Sequence, residues 1–143
     1  MAAEAQIDRR IAEHRQPPFA VVMLDVNDLK KINDTAGHQA GDRYLRDACK
    51  VICDIFKHSP VFRIGGDEFA VFAQGSDYAC IEDRMEKVRA HNAGALQSGG
   101  ILIACGMACF EDDARVADVL ERADQNMYEN KNALKAAYHT STE

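Results

Sequence analysis

Asp25 and Asp67 are the residues whose chemistry stands out. Asp25 ends a continuous apolar run at residues 19–24, and Asp67 follows the pair Gly65-Gly66 between two β-rich runs. Carboxylates that converge at strand ends repel unless a cation joins them. Hard oxygen ligands of this kind suit Mg²⁺ or Mn²⁺, ions that keep open positions for the oxygens of a phosphate. Such an ion polarises a phosphoryl group and activates a hydroxyl for in-line attack. The backbone N–H groups after Asp25, with a helix start near Leu29, offer a seat for phosphate. Lys30 stands close by to offset charge building on it. Lys131 and Lys135 are i,i+4 neighbours and can both reach one anion. Each feature also has a structural reading: Asp25 as a helix cap, Gly65-Gly66-Asp67 as a plain hairpin, the lysine pair as a solvated face, His38 as a loop residue.

The elements that would position these groups follow from hydrophobic spacing. Residues 4–15 read as the end of a helix with Ile7 and Ile11 on one side, stopped at Gln16-Pro17-Pro18. The run at residues 19–24 reads as a strand buried on both faces, with a short helix from Leu29 to Ile32. Gly37 and Gly41 are expected to bracket a loop holding His38, and Asp42 to cap the next helix. That helix carries Leu45, Ala48, Cys49, Ile52, Ile55 and Phe56 on one stripe. Residues 61–64 and 69–73 form a hairpin about the Gly65 to Glu68 turn. Ile81, Met85 and Val88 mark another helix, residues 92–100 a Gly-containing loop, and residues 101–110 a further strand. Val116, Val119, Leu120, Ala123 and Met127 stripe a last long helix.

From the first strand onward the order is β-α-α-β-β-α-β-α. It predicts an α+β fold with a ferredoxin-like, palm-type antiparallel sheet and helices over one face. In that arrangement the first and third strands are antiparallel neighbours, and Asp25 meets the turn bearing Asp67. Residues 1–18 are expected to be a helix end and linker, 19–138 the functional domain, and 139–143 a tail.

A chain of 143 residues suits one domain. The net charge of −6 excludes a long polyanionic partner such as nucleic acid, because no cluster of Lys and Arg would neutralise its phosphates. The five cysteines form no Cys-x-x-Cys pair. Cys49 and Cys53 can share a helix face, but nothing nearby completes a four-ligand zinc set, so buried reduced thiols are expected. Reduced thiols, the absence of a signal-peptide pattern and of any apolar run near the ~20 residues a membrane span needs point to the cytoplasm.

Gly65-Gly66-Asp67-Glu68-Phe69 spells the signature of the GGDEF domains, the diguanylate cyclases. The stretch from Asp25 through Lys30, Asn33, Gly37, His38 and Gly41 to Asp42 resembles that family's other long motif at the expected spacing. Ala123 to Lys131 resembles its C-terminal motif. The resemblance covers residues 19–135.

The resemblance implies an enzyme that joins two GTP molecules into cyclic di-GMP and releases pyrophosphate. One GTP half-site sits on each subunit, so turnover requires a homodimer. Asp25, the Val26 carbonyl and Asp67 would ligate Mg²⁺, with Mn²⁺ as a substitute. Asp67 would also accept the 3′-hydroxyl proton, and Lys30 would stabilise the transition state. Asn33 and Asp42 would read the guanine edge with His38 beside them. Gly65, Gly66, Lys131 and Lys135 would contact substrate, the lysines at the terminal phosphates. An upstream sensory or dimerising domain is expected in the full-length protein. A GTP-binding module without turnover is the alternative, and a purely structural interaction module a third reading.

The chain also departs from the family pattern. Phe56-Lys57-His58-Ser59 stands where the family's inhibitory Arg-x-x-Asp lies, so product feedback through that site is not expected. Asn27 replaces a usual Asp, Leu29 a usual Phe and Lys135 a usual Arg. Nothing before residue 19 matches the family's usual upstream stretch.

Overall fold

The computed structural model describes the backbone of residues 2–142 and the side chains of residues 4–137. Its elements run α1 (Ala2–Ala12), β1 (Ala20–Val26), α2 (Leu29–Ala36), α3 (His38–Ile55), β2 (Val61–Arg63), β3 (Glu68–Ala73), α4 (Gly75–Ala79), α5 (Ile81–Ser98), β4 (Ile103–Cys109) and α6 (Val116–Thr142). The strands form a four-stranded sheet in the order β2-β3-β1-β4, with every neighbouring pair antiparallel. The first and third strands are adjacent, as their spacing predicts.

β1 is central and buried along its whole length. Its residues alternate between two cores, as the two-residue period of a strand requires. Ala20, Val22, Leu24 and Val26 face Leu45, Ala48, Ile52 and Phe56 of α3 and Ile81, Met85 and Val88 of α5. Val21 and Met23 face Val116, Val119, Ala123 and Met127 of α6, with Ile7 of α1 in the same cluster. Each fully buried aliphatic side chain contributes roughly 1.5–3 kcal/mol. Helices therefore cover both faces of the sheet, not one. An apolar run without alternation can be stable only when each side has its own cover.

Other boundaries also differ from the sequence reading. His38 opens α3 instead of lying in a loop, because Gly37 takes a φ of 90° and turns the chain between two helices. Gly41 and Asp42 thus lie in the first turns of α3, and Asp42 is no cap. A Cβ at Gly41 would fall on the side-chain oxygen of Asn33 on α2, so the glycine leaves room for that side chain to lie against α3. α5 continues through the expected loop at residues 92–100. Asn92 is buried and pairs twice with the backbone of Ile103, which draws the helix's last turns onto β4. The helix ends where Gly99 takes the left-handed conformation. Residues 139–142 of the expected tail continue α6, and residue 143 lies outside the described residues.

Asp77 on α4 has no exposed surface, yet it is fully bonded. It accepts hydrogen bonds from the His58 N–H, the Ser59 hydroxyl and Arg84 Nε at 2.9, 2.7 and 3.0 Å. Burial would push its carboxyl up, but these bonds outweigh burial and hold it below 3.8. Residues 56–59 are thereby fastened to the fold, with Phe56 in the core.

β4 is an edge strand whose outer polar groups α6 covers. Arg122 donates to the Cys109 carbonyl, Asn126 to the Met107 carbonyl, and Asn130 accepts from the Cys105 N–H. These residues are spaced i,i+4 along α6, so one helix face fixes its register against the sheet. Gly106 permits the close approach, since a methyl there would overlap the α6 backbone at Met127. No described helix is long and apolar enough to cross a membrane.

Candidate functional site

The ends of β1 and β3 bring three carboxylates together. Asp25 pairs in register with Glu68, so the two lie side by side on the face covered by α6. The Val26 N–H donates to the Asp67 carbonyl at 2.8 Å, which ties the end of β1 to the hairpin turn. Arg63 holds that turn through the carbonyls of Gly65 and Gly66, at 3.2 and 2.7 Å. Asp25, Asp67 and Glu68 each present an oxygen, and these atoms lie within 4.8 Å of one another. Glu68 was absent from the ligand set expected from sequence. It joins the cluster through the β1–β3 register, which sets it opposite Asp25 and which no local sequence pattern records.

Lys131 of α6 reaches into this cluster and donates to Asp25 Oδ2 at 3.1 Å. The other oxygen of Asp25, Oδ1, is buried with no hydrogen-bond partner among the described residues, and Asn27 Oδ1 is the same. Burial pushes the Asp25 carboxyl up, Lys131 pulls it back, and Asp67 raises it further, with a net rise above 3.8. Burial likewise raises Glu68 above 4.5, reinforced by Asp25, Asp124 and Asp67. Buried carboxylates crowded this closely disfavour each other's charged forms. A buried acceptor without a donor and a set of hard oxygens both fit a small divalent cation.

A cavity of about 660 Å³ opens beside the cluster, lined by Asp25, Val26, Lys30, Asp67, Lys131 and Lys135 among others. Two acidic ligand candidates and four lysines, Lys31 among them, from β1, α2, the β2–β3 turn and α6 thus share one space, which can accept a polyphosphate on a metal ion. Asp42 lines a different cavity of about 530 Å³, between α3 and the β2–β3 hairpin. Asn33 and His38 line neither of these cavities. Asn33 is half-buried against Gly41, one residue from Asp42, and His38 is exposed at the start of α3. Gly65 and Gly66 are exposed in the turn.

The family described as "Diguanylate cyclase, GGDEF domain" matches residues 1–136 of this chain. The chain belongs to the GGDEF domain family. Among curated relatives, diguanylate cyclase DgcS of Shewanella oneidensis is 31% identical over 132 residues, covering 91% of this chain and 45% of the relative. Diguanylate cyclase DosC of Escherichia coli is 32% identical over 119 residues, covering 78% of this chain and 26% of the relative. This GGDEF domain therefore spans less than half the length of those relatives. Among solved structures, the GGDEF domain of DgcB from Caulobacter crescentus, in complex with c-di-GMP, superposes with a TM-score of 0.74 at 27% identity, covering 92% of this chain and 84% of that one. The active GGEEF domain of a diguanylate cyclase from Vibrio cholerae gives a TM-score of 0.72 at 25% identity, covering 91% and 88%.

Proposed function

We propose that this GGDEF domain is a diguanylate cyclase, joining two GTP molecules into cyclic di-GMP with release of two pyrophosphates. The observation that carries the reading is the meeting of Asp25, Asp67 and Glu68 beside a cavity that also holds Lys30, Lys131 and Lys135.

We assign Mg²⁺, or Mn²⁺ in its place, to Asp25, the Val26 carbonyl and Asp67. When bound, the ion supplies charge neutralisation and polarisation of the phosphoryl group. Lys131 and Lys135 hold the terminal phosphates, and Lys30 offsets the charge that develops on the transferred phosphoryl. Asn33 and Asp42, with His38 beside them, read the guanine edge, since an amide and a carboxylate match its N1, N2 and O6 groups. Gly65 and Gly66 leave the turn free of side chains where substrate approaches. Asp67 takes the proton of the 3′-hydroxyl. The 3′-oxygen of one GTP then bonds to the α-phosphorus of the other, and the bond to pyrophosphate breaks. The step occurs twice to close the ring.

Each site holds one GTP, so the reaction needs two copies of the domain face to face. A sensory or dimerising domain, in the part of the relatives this chain does not span, would supply that contact. The experiment is a chromatographic assay for cyclic di-GMP from GTP and Mg²⁺, with the chain fused to a dimeriser. Product is expected from wild type and none from Asp67→Ala. Tight GTP binding without product in the fused wild type would instead identify a regulatory module that binds and does not turn over.

A further inference from the structure

Asp42 and Arg46 are i,i+4 neighbours on α3, and both line the cavity of about 530 Å³ between that helix and the β2–β3 hairpin. Side chains at this spacing can meet, yet among the described residues no hydrogen bond or ion pair engages either one. Arg63, the other arginine of the wall, is committed to the turn through its bonds to the Gly65 and Gly66 carbonyls. Leu45, Val61 and Phe69 add apolar surface to the same wall. So do Cys49, half-buried, and Cys53, exposed, where the sequence predicts buried thiols. The cavity therefore offers one carboxylate and one uncommitted guanidinium, a turn apart, over a surface that can pack a flat ring.

We infer that Arg46 is a further specificity-determining residue of the proposed guanine site, donating two hydrogen bonds to O6 and N7 of the base whose N1 and N2 groups face Asp42. The inference rests on the role proposed for Asp42. The residues already assigned to the base leave N7 unread. A guanidinium holds its donors in a fixed plane and accepts nothing. O6 and N7 are the pair of adjacent acceptors that such a fork fits. The placement on α3 agrees with the order of groups round the base. Asn33 packs at Gly41, on the N-terminal side of Asp42, and Arg46 stands one turn to its C-terminal side. Guanine presents N2, N1, O6 and N7 in sequence along its edge, so an amide at the N2 end leaves the guanidinium at the O6 end. Adenine carries an amino donor in place of O6, and the donors of Arg46 would face it unpaired. Arg46 thus selects guanine from the side that Asp42 does not touch.

The test compares GDP with 7-deaza-GDP, which lacks the N7 acceptor, by calorimetry on the full chain with Mg²⁺. Neither ligand can be cyclised, because neither has pyrophosphate to release. A fork on O6 and N7 is worth roughly 5–150-fold in affinity, so wild type is expected to bind 7-deaza-GDP at least about threefold more weakly than GDP. In Arg46→Met the two ligands should bind alike, with GDP weakened about fivefold or more. Arg43→Met removes the same charge from an exposed α3 residue outside the cavity and should keep the preference. Equal affinity of wild type for the two ligands, a preference that survives in Arg46→Met, or one lost equally in Arg43→Met overturns the contact. Asp42→Asn should weaken GDP binding. If wild type binds no GDP, or Asp42→Asn binds it undiminished, it is the reading of Asp42 that fails, and the Arg46 contact with it.

Discussion

At the residue scale, Asp25 is held between one cation and two like charges. Lys131 occupies one of its oxygens while Asp67 and Glu68 crowd it from the hairpin. In its proposed role Lys131 also holds a terminal phosphate, and on that reading it competes with a divalent ion for the carboxylate until nucleotide draws it away. Lys131→Met is therefore expected to tighten Mn²⁺ binding without nucleotide, on the order of tenfold, at a pH where Asp25 is ionised. The same variant should weaken GTP binding. Mn²⁺ titration by electron paramagnetic resonance measures the first effect and calorimetry the second; equal losses in both would refute the competition. The carboxylates also set a pH dependence. Asp25 and Glu68 are raised above 3.8 and 4.5, so at these two positions the folded state binds more protons than the unfolded chain, opposite to the lowered Asp77 and Asp113. Their contribution to stability then falls as pH rises through the raised values, the reverse of a salt-bridged carboxylate. In metal-free buffer, wild-type Tm should drop across that interval relative to Asp25→Asn. Saturating Mg²⁺ should restore it by binding the folded state alone. Glu68→Gln should likewise reduce the drop, and a thermal melt series with and without chelator checks both.

At the scale of elements, the approach of α2 to α3 positions the residues proposed to read guanine. Gly41 lets the Asn33 side chain lie against α3, one residue from Asp42. In Gly41→Ala, the new methyl meets only the end of the Asn33 side chain, which can rotate away. The variant should keep nearly the wild-type Tm and lose GTP affinity by about 1–3 kcal/mol, the cost of leaving a polar partner unmade. Isothermal titration with GTP decides it. Wild-type affinity would separate Asn33 from the nucleotide. The register of α6 matters in the same way, because the Arg122, Asn126 and Asn130 contacts to β4 fix where Lys131 arrives.

At the scale of the whole molecule, one copy carries one set of carboxylates and lysines, and the proposed product needs two GTP molecules. Turnover per chain should therefore rise with protein concentration for the free domain. It should become nearly independent of concentration once two copies are tethered, because the tether replaces a bimolecular encounter with a high effective concentration. Initial rates over a dilution series test this. A constant rate per chain for the untethered monomer would contradict the paired site. Each copy carries a net charge of −6, so pairing begins against mutual repulsion.

Residue types and spacing alone determined the strand order, the antiparallel pairing of the first and third strands, and the meeting of Asp25 with the Gly65-Gly66 turn. The strands and the turn follow from local periodicity and turn chemistry, which act within a few residues, and the pairing follows from the ferredoxin-like arrangement that their order implies. Only the tertiary structure decided the rest. Whether helices lie on one face of the sheet or both depends on packing between segments far apart in the chain. Glu68 joined the cluster through cross-strand register, and α5 ran through a glycine-containing stretch because Asn92 found Ile103 across space. Cys49 and Cys53 were readable as one helix face from their spacing. That their sulfurs line the same cavity as Asp42 depended on where α3 meets the hairpin, which no local pattern records.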